Sequence, residues 1–181
     1  MSGLHILCKW GVPMGNFKRI AIFSALLLNA ALCFANQISF QIVQHDDSAD
    51  NVTEDSMTIE DSVLNTFFEY GYIVTNSDAA ISDSVSQDEH LFKIGTGEAF
   101  NGYSDYFIQI KLYYERTDQT LSASSDLYKI DFTIASAKSG VKIAEKSLEN
   151  IKVDRTKKNN LVKISSELVN QINKALKANK A

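Results

Sequence analysis

The sequence predicts an α+β fold: a single domain with a mixed β-sheet, an initial βαβ crossover, a three-strand meander and helices packed on the sheet. Three observations predict it. Residues 58–76, TIEDSVLNTFFEYGYIVTN, read as an amphipathic helix, a glycine stop and a short buried strand. Residues 106–153 hold three stretches in succession that alternate apolar and polar side chains. Residues 161–176 place Leu161, Ile164, Leu168, Ile172 and Leu176 on one helical stripe.

The chain opens with residues 1–35, which contain no acidic residue. Lys18 and Arg19 precede an apolar run over 20–34, broken only by Ser24 and Asn29. Small residues follow, and this order reads as a secretory signal peptide cut after Ala35. The run is short of the roughly 20 residues that span a bilayer. A lipid anchor on Cys33 fits poorly, because Leu32 stands where a small residue is wanted. Met14 offers an alternative start that would leave a more ordinary leader. Both cysteines fall in this leader, so residues 36–181 exclude a disulfide, a thiolate nucleophile and cysteine-ligated zinc.

The remaining 146 residues suit one domain and carry a net charge of −7. The charge is uneven: residues 36–110 hold 14 acids against Lys93, and residues 111–181 hold 14 bases against 8 acids. Such a division brings opposite surfaces together within the fold or steers a partner. A secreted chain of this charge argues against nucleic-acid binding.

Residues 37–44 alternate, with Ile38, Phe40 and Ile42 on one face and Ser39 and Gln41 on the other, which predicts the first strand. The segment 45–55, HDDSADNVTED, lacks apolar periodicity and reads as a mobile acidic loop. It has no glycine for an EF-hand turn, so no metal site is assigned to it. Asn51-Val52-Thr53 is a glycosylation sequon, relevant only on a eukaryotic secretory route. Thr58 is the expected helix cap, with Asp61 three residues on as a short capping box. Ile59, Val63 and Phe67 form the buried stripe, widened by Leu64 and Phe68, and both phenylalanines are expected in the core. Gly71 ends the helix, and residues 72–75 make the second strand.

Residues 77–89 are rich in serine and aspartate and form a variable, helix-compatible segment. Gly95-Thr96-Gly97 lacks the lysine or third glycine of a phosphate loop and reads as an ordinary turn. His90 and His45 are far apart in sequence, and neither has a second histidine nearby for a metal pair. Tyr106, Ile108, Ile110, Leu112 and Tyr114 alternate with more polar neighbours in a long strand. A polar connection over 117–125 leads to a strand carrying Tyr128, Ile130, Phe132 and Ile134. Residues 137–140 turn the chain into a more polar strand over 141–153, whose lysines suit a sheet edge. Asn160 precedes the last helix, and residues 177–181 form a fraying basic tail.

This order of elements resembles the superfamily that includes the TolB amino-terminal domain, the curli secretion channel subunit and the outer-membrane activator of penicillin-binding protein. The resemblance is carried by the helix over 63–68, Gly71 and the strand over 72–76. Ser104-Asp105-Tyr106-Phe107-Ile108, the strand over 130–134, Ser139-Gly140 and the closing helix over 161–176 extend it. It spans most of 37–177, without the lipobox common among relatives and with a longer acidic loop. The resemblance implies a non-enzymatic envelope protein, periplasmic or outer-membrane associated, that binds other envelope proteins. It transfers no site residue.

The residues themselves leave three readings open. A secreted binding or assembly module accounts for the leader and for the absence of a catalytic set. A secreted hydrolase would need a nucleophile elbow or paired carboxylates across a cleft, and no Gly-x-Ser-x-Gly occurs. A small-ligand domain would use a pocket between sheet and helices, lined by Tyr103, Tyr106, Tyr113 and Tyr114. No catalytic, metal or cofactor residue is assigned. The expected contact residues are Asp46, Asp47, Asp50, Glu54 and Asp55, an acidic surface that steers a basic partner. Plain solubility and docking on the chain's own basic half are the alternatives.

Overall fold

The structure is a computed structural model, and it describes residues 36–116, 125–154 and 159–179. The expected leader over 1–35, most of the connection after 117 and the last two residues of the expected tail lie outside the described residues. Among the described residues six strands and three helices follow in the order β1 (Gln37–His45), α1 (Glu54–Glu69), β2 (Ile73–Asn76), β3 (Ala80–Ile81), α2 (Val85–Asn101), β4 (Tyr106–Arg116), β5 (Ser125–Ser136), β6 (Lys142–Leu148) and α3 (Asn160–Ala178). They form a single α+β domain on one mixed sheet in the order β2-β1-β4-β5-β6, with β3 pairing β1 beyond β2. β1 pairs β2, β3 and β4 in parallel, whereas β4, β5 and β6 form an antiparallel meander. The crossover and the meander are both present as the sequence predicts.

The alternation in β1, β4 and β5 divides the sheet into two unequal faces. One face carries Ile38, Phe40, Ile42, Ile108, Ile110, Leu112, Ile130, Phe132 and Ile134, all fully buried. Two helices cover it, α1 with Ile59, Val63 and Phe67 and α3 with Leu168, Val169, Ile172 and Leu176. The second face carries Gln41, Gln109, Lys111, Asp131 and Thr133, and α2 packs there against β1 and β4.

Several local expectations are corrected. The cap of α1 is Thr53, not Thr58: its Oγ1 accepts from the Ser56 amide at 3.3 Å, and the helix starts at Glu54. The cause is Gln44, fully buried, whose Oε1 accepts from the Thr53 amide at 2.8 Å and from Ser56 Oγ at 2.8 Å. That anchor fixes the entry angle five residues before Thr58, which instead donates back to the Glu54 carbonyl. The acidic segment therefore ends in helix, with Glu54 and Asp55 in the first turn, where the dipole favours them. Phe68 is 74% exposed, so only Phe67 of the pair joins the core.

β2 is an exposed edge strand and not a buried one, with Ile73 more than half exposed, because it pairs β1 alone. Gly95-Thr96-Gly97 lies inside α2 and is no turn. Gly95 is the notch that lets α2 approach the sheet, since a Cβ there would stand 2.5 Å from Phe107 Cε2. β6 ends at Leu148, shorter than the sequence suggests but at the sheet edge as expected. Lys177 belongs to the last turn of α3 rather than to a frayed tail.

Candidate functional site

α1 and α2 both end in the same closing motif. In α1, Tyr72 N donates to the Phe67 carbonyl and Gly71 N to that of Phe68, with Gly71 at φ +81°. In α2, Ser104 N donates to the Ala99 carbonyl and Tyr103 N to that of Phe100, with Tyr103 at φ +62°. The left-handed position normally falls to glycine, because a Cβ there is strained by about 1–2 kcal/mol. Tyr103 takes that strain and leaves its ring 89% exposed, so packing within the domain does not offset it.

Both helix ends lie where the parallel strands begin. Ile73 pairs Gln37, Tyr106 pairs Ile38, and Gln37 Nε2 donates to the Gly102 carbonyl at 2.8 Å. Exposed at this end are Phe68 at 74%, Tyr70, Ile73, Phe100 at 55% and Tyr103. Phe100, Tyr103 and Tyr106 also line a hollow of about 410 Å³ with Asp105 and Lys138.

The acidic segment stands at the opposite end, following the last residue of β1. Asp47, Asp50 and Glu54 are exposed, and Asp55 is half-buried. Asp46 is turned inward at 8% exposure: its Oδ1 accepts from the Ser48 amide at 2.9 Å, from Ser48 Oγ at 2.6 Å and from Ser125 Oγ at 3.2 Å. That carboxylate closes a turn onto β5. The four tyrosines expected around one pocket are separated. Tyr114 bonds Ser56 Oγ at 2.8 Å beneath α1, Tyr113 lies on the second face, and Tyr103 and Tyr106 stand at the far end.

The second face contains a polar cluster that residue patterns alone leave scattered. His45 Nε2 lies 3.0 Å from Asp88 Oδ1, and Lys111 Nζ lies 3.4 Å from Asp88 Oδ2. The His45–Asp88 approach is at ion-pair distance, yet neither atom has an aligned hydrogen bond. The His45 ring stacks on Tyr113 at 4.5 Å, and Lys129 Nζ sits 4.7 Å from the Tyr113 centroid and 2.9 Å from Asp131 Oδ2. Burial pushes the His45 pKa below its ordinary value, opposed by Asp88 and reinforced by Lys111, which favours the neutral imidazole. Burial also acts to lower Lys111, but Tyr113 and Asp88 more than offset it and the ammonium is favoured. Asp131 lies below the ordinary carboxylate range: burial opposes this, and the Ser147 hydroxyl and Lys129 outweigh it.

Beside this cluster a cleft of about 290 Å³ runs between α2 and the meander, lined by Asp88, Phe92, Gln109, Lys111, Thr133 and Glu145 among others. His90 is exposed and takes no part in it. Among the described residues no group of three or more His, Cys, Asp or Glu side chains is placed to hold a metal ion. No helix among them is long and apolar enough to cross a membrane. The cluster was hidden because β1, α2, β4 and β5 each contribute one or two of its members. The available signal was polar residues at inward positions of β4 and β5, where Gln109 and Thr133 interrupt apolar strands.

A protein-family model described as "Uncharacterised protein" matches residues 37–177, and the chain belongs to that family. No curated protein matches the chain. Among solved structures it is similar to the PelC dodecamer from Paraburkholderia phytofirmans, at 12% identity and a TM-score of 0.40, over 78% of this chain and 87% of that one. Lipoprotein GNA1162 from Neisseria meningitidis is similar at 16% identity and a TM-score of 0.44, over 77% and 99% of the two chains. Protein XCC0632 from Xanthomonas campestris is similar at 11% identity and a TM-score of 0.45, over 81% and 88%.

Proposed function

We propose that this chain is a non-enzymatic binding or assembly module of the cell envelope, exported by its leader to the periplasm or outer membrane and acting through protein–protein contacts. The observation that carries the reading is the aromatic end of the domain. Five large apolar side chains are exposed where β1, β2 and β4 begin, and one of them, Tyr103, holds a strained backbone with its ring in solvent. A domain that needed only to fold would gain from glycine at that position, so the tyrosine serves a contact outside the domain. Phe100 and Tyr103 are the anchors, because rigid aromatic rings bury large area at low entropic cost on association.

The leader pattern and the superfamily resemblance support the envelope assignment. The lack of cysteine in 36–181 and of any serine-nucleophile motif supports a non-catalytic role. At the other end, Asp47, Asp50 and Glu54 serve as a steering surface for a basic partner, while Asp46 serves the fold.

The test is capture from envelope extracts with tagged protein carrying Phe100→Ser and Tyr103→Ser together. Loss of the captured partners with an unchanged melting temperature is expected. Equal capture by the variant and the parent protein would sink the reading.

A further inference from the structure

We propose that the cleft between α2 and the meander binds a small zwitterion of amino-acid size that carries an apolar side chain. Three polar side chains more than nine-tenths buried meet at this cleft: Asp88 at 5% exposure, Gln109 at 3% and Thr133 at 3%. Burying such groups costs stability that apolar residues would not cost. Gln109 Nε2 donates to the Asp88 carbonyl at 3.1 Å and Thr133 Oγ1 to Glu145 Oε1 at 3.4 Å, so floor and wall are tied together.

Both signs of charge line the opening. Lys111 and Lys142 stand with Glu89 and Glu145 around it. The register shift between Ile134 and Ala135 matters here. Thr133 pairs Glu145 and Ala135 pairs Lys142, so the bulge turns Lys142 to the face that Glu145 occupies. Lys142 Nζ rests 5.3 Å from the Phe92 centroid. A ligand with a single charge leaves one sign unanswered. A zwitterion sets its carboxylate toward Lys111 and Lys142, its ammonium toward Glu145 and Glu89, and its side chain against Phe92 and Val85. The volume, at the lower end for ligand sites, limits the guest to a small molecule.

The experiment uses calorimetric titration and thermal shift of the purified protein with valine, leucine and phenylalanine. Isopentylamine and 4-methylpentanoate serve as leucine analogues that each lack one charge. At least one amino acid is expected to bind and raise the melting temperature, with both analogues at least about tenfold weaker. Lys142→Met and Glu145→Gln, both at exposed positions, are each expected to weaken binding about tenfold and leave the unliganded melt unchanged. The proposal is overturned if none of the three amino acids binds, if an analogue binds as tightly as leucine, or if both variants bind as the parent does.

Discussion

Gly95→Ala and Gly97→Ala are expected to change stability in opposite directions, although they lie two residues apart in one helix. Intrinsic propensity favours alanine over glycine in a helix interior by about 1 kcal/mol. At Gly97 nothing stands within 4 Å of the added Cβ, so the substitution should stabilise by about 0.5–1 kcal/mol. At Gly95 the same atom would lie 2.5 Å from Phe107 Cε2 and 3.0 Å from Cε1. Phe107 is fully buried and packs edge-on to Phe92 at 5.6 Å, so its ring yields only if α2 lifts from the sheet. Overpacking of this kind costs about 1–3 kcal/mol, and the severity of the contact places it in the upper half of that range. Less the propensity gain, Gly95→Ala should destabilise by about 1–2 kcal/mol. Urea melts of the two variants, compared at equal m-value, give the signs directly. A Gly95→Ala protein as stable as Gly97→Ala would mean that α2 is not seated on Phe107, and the account of the cleft wall would fall with it.

Phe67→Ala should cost about 3–5 kcal/mol in a denaturant melt and Phe68→Ala less than about 0.5 kcal/mol, since one ring is fully buried and the other 74% exposed. Tyr103→Gly should raise stability by about 1 kcal/mol by relieving the left-handed strain, and a loss of stability would show that the ring is packed after all. Because the folded-state pKa of His45 lies below 6.5, the unfolded chain binds more protons between the two values, so its contribution is present above pH 6.5 and is lost as pH falls through the folded value. His45→Gln should flatten the stability profile in that interval, and an unchanged slope would remove His45 as its source. Asp46→Ala should lower stability by about 1–2 kcal/mol through its three accepted hydrogen bonds, whereas Asp47→Asn with Asp50→Asn should leave the melt alone and weaken partner capture at low salt only.

Elements with strict periodicity were legible in the sequence. The alternation of β4 and β5 and the stripe of α3 are set by burial against one continuous core, and such patterns survive without knowledge of neighbours. What escaped was decided by contacts between distant segments. Thr58 satisfies the local rule for a cap as well as Thr53 does, and the choice is made by Gln44, whose side chain is engaged from β1. The glycine pair in α2 looks like a turn until Phe107 arrives beneath Gly95. Phe68 sits next to the stripe in sequence, but α1 buries only the narrower line through Phe67. The His45, Asp88 and Lys111 cluster was illegible for the same reason, since its members are separated by more than 20 residues each and meet only when β1, β4 and α2 assemble.

The two faces of the sheet obey different rules, and the difference bears on what the domain is for. On the face beneath α1 and α3, burial is mostly apolar and the buried polar groups are hydrogen-bonded: Gln44 Oε1 accepts from Thr53 and Ser56, and the Tyr72 hydroxyl donates to Asn173 Oδ1. On the other face, Gln109 and Thr133 occupy strand positions whose burial is nearly as complete as that of their apolar neighbours. Valine or isoleucine there would keep the strand and avoid desolvating an amide and a hydroxyl. Asp88 adds a carboxylate at 5% exposure, offset by Lys111 and His45 only in part, since one of its oxygens lacks an aligned hydrogen bond. Removing one partner of such a pair is costly, whereas replacing all partners with packed apolar residues is often neutral or favourable. The polar set therefore persists at a cost to folding, and so does the tyrosine at the left-handed position of α2. Of these residues, Asp88 falls in the amino-terminal half of α2 and Tyr103 at its closing turn, whereas Gln109 and Thr133 stand on β4 and β5. Substitutions at Asp88, Gln109, Thr133 and Tyr103 should therefore separate binding from folding more cleanly than substitutions on the core lines of α1 or α3.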